Sequence, residues 1–108
     1  MCKPAGTSGV AQRLRRVLGA VCVQVWDIGG QKHIRPYWKN YYQNTDAIVY
    51  IVDSSDRRRV DEAAEELTEL MAEDALIGVP CLVLANKQDL LNAMSAAELM
   101  GELDITQF

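Results

Sequence analysis

Long apolar runs are missing from this 108-residue sequence, so it holds no candidate membrane-spanning helix, which needs about 20 consecutive apolar residues. Position 2 is Cys2 rather than glycine, so the N-myristoylation signal is absent and membrane contact is expected to be at most peripheral. Cysteine is scarce: Cys2, Cys22 and Cys81 are odd in number, widely spaced and form no C-x-x-C pair. They predict neither a disulfide framework nor a zinc site, and point to a reducing, cytoplasmic setting. Histidine occurs once, at His33 beside Lys32, and reads as an exposed polar residue rather than a catalytic base. Acidic residues are absent from the first twenty positions, which hold Lys3, Arg13, Arg15 and Arg16. A basic head of this kind suits a solvated terminus, an acidic lipid surface or nucleic acid. No nucleic-acid partner is expected, because nothing downstream interleaves basic and aromatic residues as such a surface does.

What is present fits one small globular domain, with apolar content of 49% and charged content of 24%. Residues 1–9 are rich in small, turn-forming types and read as a flexible start. Val10, Leu14, Val17 and Leu18 fall at helical spacing, which predicts one or two helical turns before Gly19. Val21, Val23 and Val25 alternate with Cys22, Gln24 and Trp26, as in a strand with one buried face. Pro36 is expected near the start of a helical turn. Ala47 to Asp53 (AIVYIVD) is uninterrupted and apolar, which predicts a strand covered on both faces. SSD at 54–56 signals a helix start. Val60, Ala63, Ala64, Leu67, Leu70 and Met71 then form one stripe, with an acidic opposite face. Cys81–Ala85 is another buried run, and Ser95 with Glu98 makes a capping box for a last helix. Strands alternating with helices predict an α/β fold with a parallel sheet.

Two stretches carry the chemistry. VCVQVWDIGGQ, from Val21 to Gln31, delivers Asp27 to a strand end, followed by a Gly-Gly pair and a glutamine. Small residues there let backbone approach an anion closely. A carboxylate before such a turn can hold a metal ion through water, and an amide after it can orient a nucleophilic water. LVLANKQDL, from Leu82 to Leu90, puts Asn86, Lys87 and Asp89 past a second strand. Ligands of open α/β sheets bind outside the carboxyl ends of strands, so both sets are expected at one sheet edge. Asp89 can accept two parallel N–H bonds from the N1 and N2 edge of guanine, which adenine does not offer. Lys87 can lie along the base and sugar, and Asn86 can tie neighbouring loops.

With VWDIGGQKHIRPYWKNYYQNTD, IVYIVDSSDRRRVDEAAEEL and VLANKQDLLNA together, the chain from about Val21 to Leu103 resembles the ADP-ribosylation factor and Arf-like family of small GTPases. That resemblance implies a fragment of the P-loop GTPase fold, GTP or GDP and Mg²⁺ as ligands, and GTP hydrolysis. It implies that Asp27 holds a water on Mg²⁺, that the Gly30 amide bonds the γ-phosphate and that Gln31 orients the attacking water. Asn86, Lys87, Gln88 and Asp89 form the guanine-reading box. Trp26, Trp38 and Tyr41 match the aromatic segment through which the family meets effector proteins. A role as a switch in vesicle or ciliary trafficking follows by the same resemblance, from the cytoplasm with Golgi or cilium association. The subtype stays open.

One family feature has no counterpart. A P-loop needs G-x-x-x-x-G-K-[ST], and the sequence contains no Gly-Lys pair. The family's first strand, P-loop, first helix and switch I threonine are expected before Val21, and its last strand and helix after Phe108. The expectation is therefore a divergent segment over 1–20 joined to a partial GTPase domain over 21–108, without the central P-loop strand. Nucleotide binding is expected to be impaired. The alternative is a non-catalytic fragment that binds effectors through the aromatic residues.

Overall fold

The computed structural model describes residues 11–105. The flexible start expected over 1–9 lies outside the described residues. The chain divides into two compact units, Met1–Asn44 and Thr45–Phe108.

The first unit holds β1 (Ala11–Leu18) and β2 (Val21–Ile28), paired antiparallel from Ala11↔Ile28 to Leu18↔Val21. The helical turns expected over Val10–Leu18 are thus replaced, over the described part, by a strand. Leu14, Val17 and Leu18 do share a helical spacing, but Gly19 has φ +59° and reverses the chain. A positive φ at the first position of a two-residue turn is what glycine supplies in a hairpin, and it outweighs a short apolar pattern. The division at 20/21 falls in the turn of this hairpin. Asp27 lies inside β2, opposite Gln12, rather than past its end. A 3-10 helix, Arg35–Tyr41, follows with Pro36 in its first turn, where a missing N–H costs nothing.

The second unit is built from β3 (Ile48–Asp53), α1 (Val60–Met71), β4 (Cys81–Asn86) and α2 (Ala96–Leu103). β3 and β4 pair in parallel, from Ile48↔Cys81 to Asp53↔Asn86. The parallel sheet expected for the chain is therefore one of two separate two-stranded sheets, the other antiparallel. The amphipathic stripe behaves as its spacing predicts: Val60, Leu67 and Leu70 of α1 are buried, with Leu99 and Leu103 of α2. Leu76, in the 3-10 turn Asp74–Leu76, completes the core with Met94 and Val52. Ser95 caps α2 by accepting the Glu98 N–H at 3.2 Å. The SSD signal gives a 3-10 turn at Arg57–Arg59 before α1 begins.

Two burial expectations are corrected here. β2 has no buried face, since Val21, Val23 and Val25 are all exposed. β3 is covered on one face only. Tyr50 donates its hydroxyl to the Ala63 carbonyl of α1 at 3.0 Å, and Val52 beside it is buried. On the other face Val49 and Ile51 are 56% and 62% exposed, with Leu82 and Leu84 opposite them also exposed. α1 serves the Tyr50–Val52 side with α2 packed on α1, and nothing described within the unit covers the other. No helix among the described residues is long and apolar enough to cross a membrane.

Candidate functional site

The Gly-Gly turn is organised by the aromatic and basic residues that follow it. The Trp38 indole N–H donates to the Gly29 carbonyl at 2.9 Å, and Arg35 Nε donates to the Gly30 carbonyl at 2.9 Å. Gln31 opens the turn that leads into the 3-10 helix, its carbonyl accepting from the amides of Ile34 at 2.8 Å and Arg35 at 3.2 Å. The Gln31 side chain is exposed. Trp26 and Tyr41 meet at 5.0 Å between ring centroids with planes tilted by 49°, so two of the three expected aromatic residues are brought together. Trp38 instead clamps the turn.

The two glycines are small for different reasons. Neither has a positive φ. A Cβ on Gly29 would lie 2.5 Å from Gln31 Oε1 and 3.1 Å from Ile34 Cδ1, so the chain's own packing uses that space. Nothing lies within 4 Å of where a Cβ on Gly30 would sit. Gly30→Ala is therefore expected to change stability by no more than about 0.5 kcal/mol. Gly29→Ala is expected to swing the flexible Gln31 amide out of its position. Thermal melts of the two variants, with the Gln31 side-chain amide followed by NMR, check both.

The NKQD segment is braced by the end of β3. Ser54 is the hub, with no exposed surface. Its amide donates to the Asn86 carbonyl at 3.2 Å and its hydroxyl donates to the same oxygen. Its carbonyl accepts from the Met94 amide at 2.7 Å. Gln88 Nε2 donates to Ser54 Oγ at 2.7 Å and to the Met94 carbonyl at 2.9 Å. Asn86 thus ties loops together through its backbone. Lys87 has φ +63° and sends its ammonium to Asp53 Oδ2 at 2.7 Å. Asp89 is exposed in the turn beyond. Ser54 was hidden in the sequence by its place in a helix-start signal. Its only clue was a small polar residue directly after an apolar strand.

Asp53 also accepts from Ser55, at 3.0 Å from the amide and 2.6 Å from the hydroxyl. The Lys87 ammonium and these donors hold its carboxyl down, from 3.8 to about 2. Lys87 is pushed up by the same pair. A depressed carboxyl contributes stability that is present above its unfolded value and lost as pH falls through its folded value. The wild type is thus expected to lose melting temperature between pH 3.8 and about 2 in excess of Asp53→Asn, the two converging at the acid end. A pH series of thermal melts reads this directly. An open cleft of ≈ 430 Å³ nearby is lined by Asp53, Ser55, Asp56, Arg57, Arg58 and Asn92, and includes none of the NKQD residues.

Among the described residues no group of three or more His, Cys, Asp and Glu side chains is arranged to hold a metal. Asp27, exposed within β2, is a single carboxylate and part of no such group.

A parallel strand pair with helices and a polar loop braced at the strand ends is common to many α/β folds, and comparison with solved structures relates this one to a small GTPase. The structure of the Arl6 BBS3 small GTPase from Trypanosoma brucei, with the nucleotide analogue GppNp bound, superposes with a TM-score of 0.84 at 34% identity, covering 97% of this chain and 67% of that one. The model of the ADP-ribosylation factor family matches residues 10–108, and the chain belongs to that family. The match begins ahead of Val21, where the motif resemblance starts. ADP-ribosylation factor-like protein 3 of Chlamydomonas reinhardtii is 55% identical over 84 residues, which are 78% of this chain and 48% of that protein. The protein of the same name from Caenorhabditis elegans is 46% identical over 99 residues, 92% of this chain and 54% of its own length. The chain spans about half the length of the curated relatives it matches.

Proposed function

We propose that this chain recognises guanine nucleotides as part of an Arf-like switch in intracellular vesicle or ciliary trafficking, working from the cytoplasm, and that the 108 residues alone bind nucleotide weakly. The observation that carries this reading is the braced NKQD segment, in which Ser54, Gln88 and Asp53 hold the backbone and Lys87 while Asp89 stays exposed. Asp89 accepts the N1 and N2 hydrogens of guanine. Gly30, with open space where a Cβ would sit, offers its amide to a phosphate oxygen. Gln31 orients water for in-line attack on the γ-phosphate, and Asp27 holds a metal-bound water. Mg²⁺, when bound, neutralises charge on the phosphate oxygens.

Weakness follows from the missing phosphate cradle, since no G-x-x-x-x-G-K-[ST] occurs in the sequence. Two charged hydrogen bonds of roughly 1.5–3 kcal/mol each, set against the cost of ordering a ligand, leave affinity near the mM range, ~4 kcal/mol. Titration of fluorescent GDP and ADP analogues with Mg²⁺ tests the reading. Millimolar binding of the guanine analogue with none of the adenine analogue is expected. Equal binding of both, or of neither, would remove the guanine-reading role.

A second reading is favoured by the Trp26–Tyr41 contact, which brings two of the aromatic residues together. In it the chain is a non-catalytic fragment that offers Trp26, Tyr41 and Trp38 to effector proteins. A protein that binds neither analogue yet melts cooperatively would support this one.

A further inference from the structure

We infer that the tip of the β1–β2 hairpin is a membrane-surface contact whose partner is an anionic phospholipid bilayer. The inference does not depend on nucleotide binding. Val17, Leu18 and Val21 flank the Gly19–Ala20 turn and are 63%, 56% and 61% exposed. Leu18 and Val21 lie opposite each other and share one face of the hairpin, while Val17, opposite Cys22, lies on the other, so both faces are apolar beside the turn.

Behind the patch comes charge of one sign. Arg16 lies opposite Val23 on one face of the ladder, and Arg15 opposite Gln24 on the other. At a rise of about 3.4 Å per residue they stand roughly 7–10 Å behind Leu18. That distance matches the ~5–10 Å to which interfacial elements bury apolar groups below the headgroups. With the tip inserted, Arg16 and Arg15 stand at the phosphate level on opposite faces, Arg15 with its Nε also donating to Cys22 Sγ at 3.0 Å. Arg13, further back, lies over the Trp26 ring at 5.7 Å and extends the basic strand. Asp27 is the one acid in either strand, at the end remote from the turn and opposite Gln12.

Charge complementarity selects the partner. The chain carries a net −4, yet its first twenty residues contain four basic side chains and no acid, so an anionic surface attracts the hairpin while the rest is repelled. Nucleic acid would satisfy the arginines but leave Leu18, Val17 and Val21 in water. A bilayer satisfies both.

Flotation of the full chain on a density gradient tests this, because aggregated protein sinks while vesicle-bound protein rises. Wild type is expected to float with phosphatidylcholine vesicles containing phosphatidylserine, to stay down with phosphatidylcholine alone, and to be released as salt rises. Arg15→Gln with Arg16→Gln should weaken binding to the anionic vesicles about fivefold per arginine. Leu18→Ser with Val21→Ser should weaken it about tenfold or more. Wild type remaining at the bottom with anionic vesicles would overturn the inference, as would full flotation of the Leu18→Ser, Val21→Ser variant. Retention of a random-sequence RNA on a filter without flotation would assign the arginines to nucleic acid instead.

Discussion

Leu67→Ala is expected to lower the unfolding free energy by about 2–5 kcal/mol, the range for truncating a large buried aliphatic side chain. Leu67 is 1% exposed and sits in the stripe of α1 that closes over β3. Its loss removes apolar burial and leaves a cavity that the neighbouring elements fill only in part. The margin is thin, since a domain of this size has ~5–15 kcal/mol in total. The exposed face of Val49, Ile51, Leu82 and Leu84 leaves this chain with less apolar burial than its composition allows. The variant is therefore expected to melt at least 8 °C lower, by roughly 4–8 °C per kcal/mol, or to show no cooperative transition. Glu65→Ala, on the exposed face of the same helix, should stay within about 0.5 kcal/mol of wild type. Urea titration followed by far-UV circular dichroism distinguishes the two.

Asp89→Asn is expected to abolish the preference for guanine over adenine, with the affinity for GDP falling at least a hundredfold. An ionised carboxylate accepts both N1–H and N2–H of guanine. An amide has one acceptor oxygen and presents an N–H where an acceptor is needed. Each charged hydrogen bond contributes roughly 1.5–3 kcal/mol, and an unpaired donor costs more than a lost bond alone. Asp89 is exposed, while the brace of the segment runs through Ser54, Gln88 and Lys87. The substitution should therefore leave the melting temperature unchanged, separating loss of recognition from loss of fold. Saturation-transfer NMR with GDP and ADP at millimolar concentration reads the selectivity. Retained guanine preference in the variant would remove Asp89 from the role.

The stripe of α1, the Ser95 cap and the strands β3 and β4 were readable from residue types alone, because periodicity and capping are local properties of the chain. The DIGGQ and NKQD stretches were readable as a family resemblance, since residue types and their spacing can be compared without the fold. Family membership rests on the match over residues 10–108. By itself, then, the sequence determined the α/β class, the helix faces, the candidate guanine reader and the absence of a phosphate-binding loop from these 108 residues.

Only the tertiary structure decided the rest. Ala11–Leu18 is a strand because its backbone groups bond to Val21–Ile28, and no pattern within eight residues states which partner a backbone will find. Ile51 is exposed because covering a sheet face requires another element, which an apolar run can demand but not supply. The Ser54 hub joins residues more than thirty positions apart, and its hydrogen bonds exist only once β3 and β4 are aligned in register. Local patterns set what each segment can become, and long-range backbone pairing and burial decide which of those possibilities the folded chain adopts.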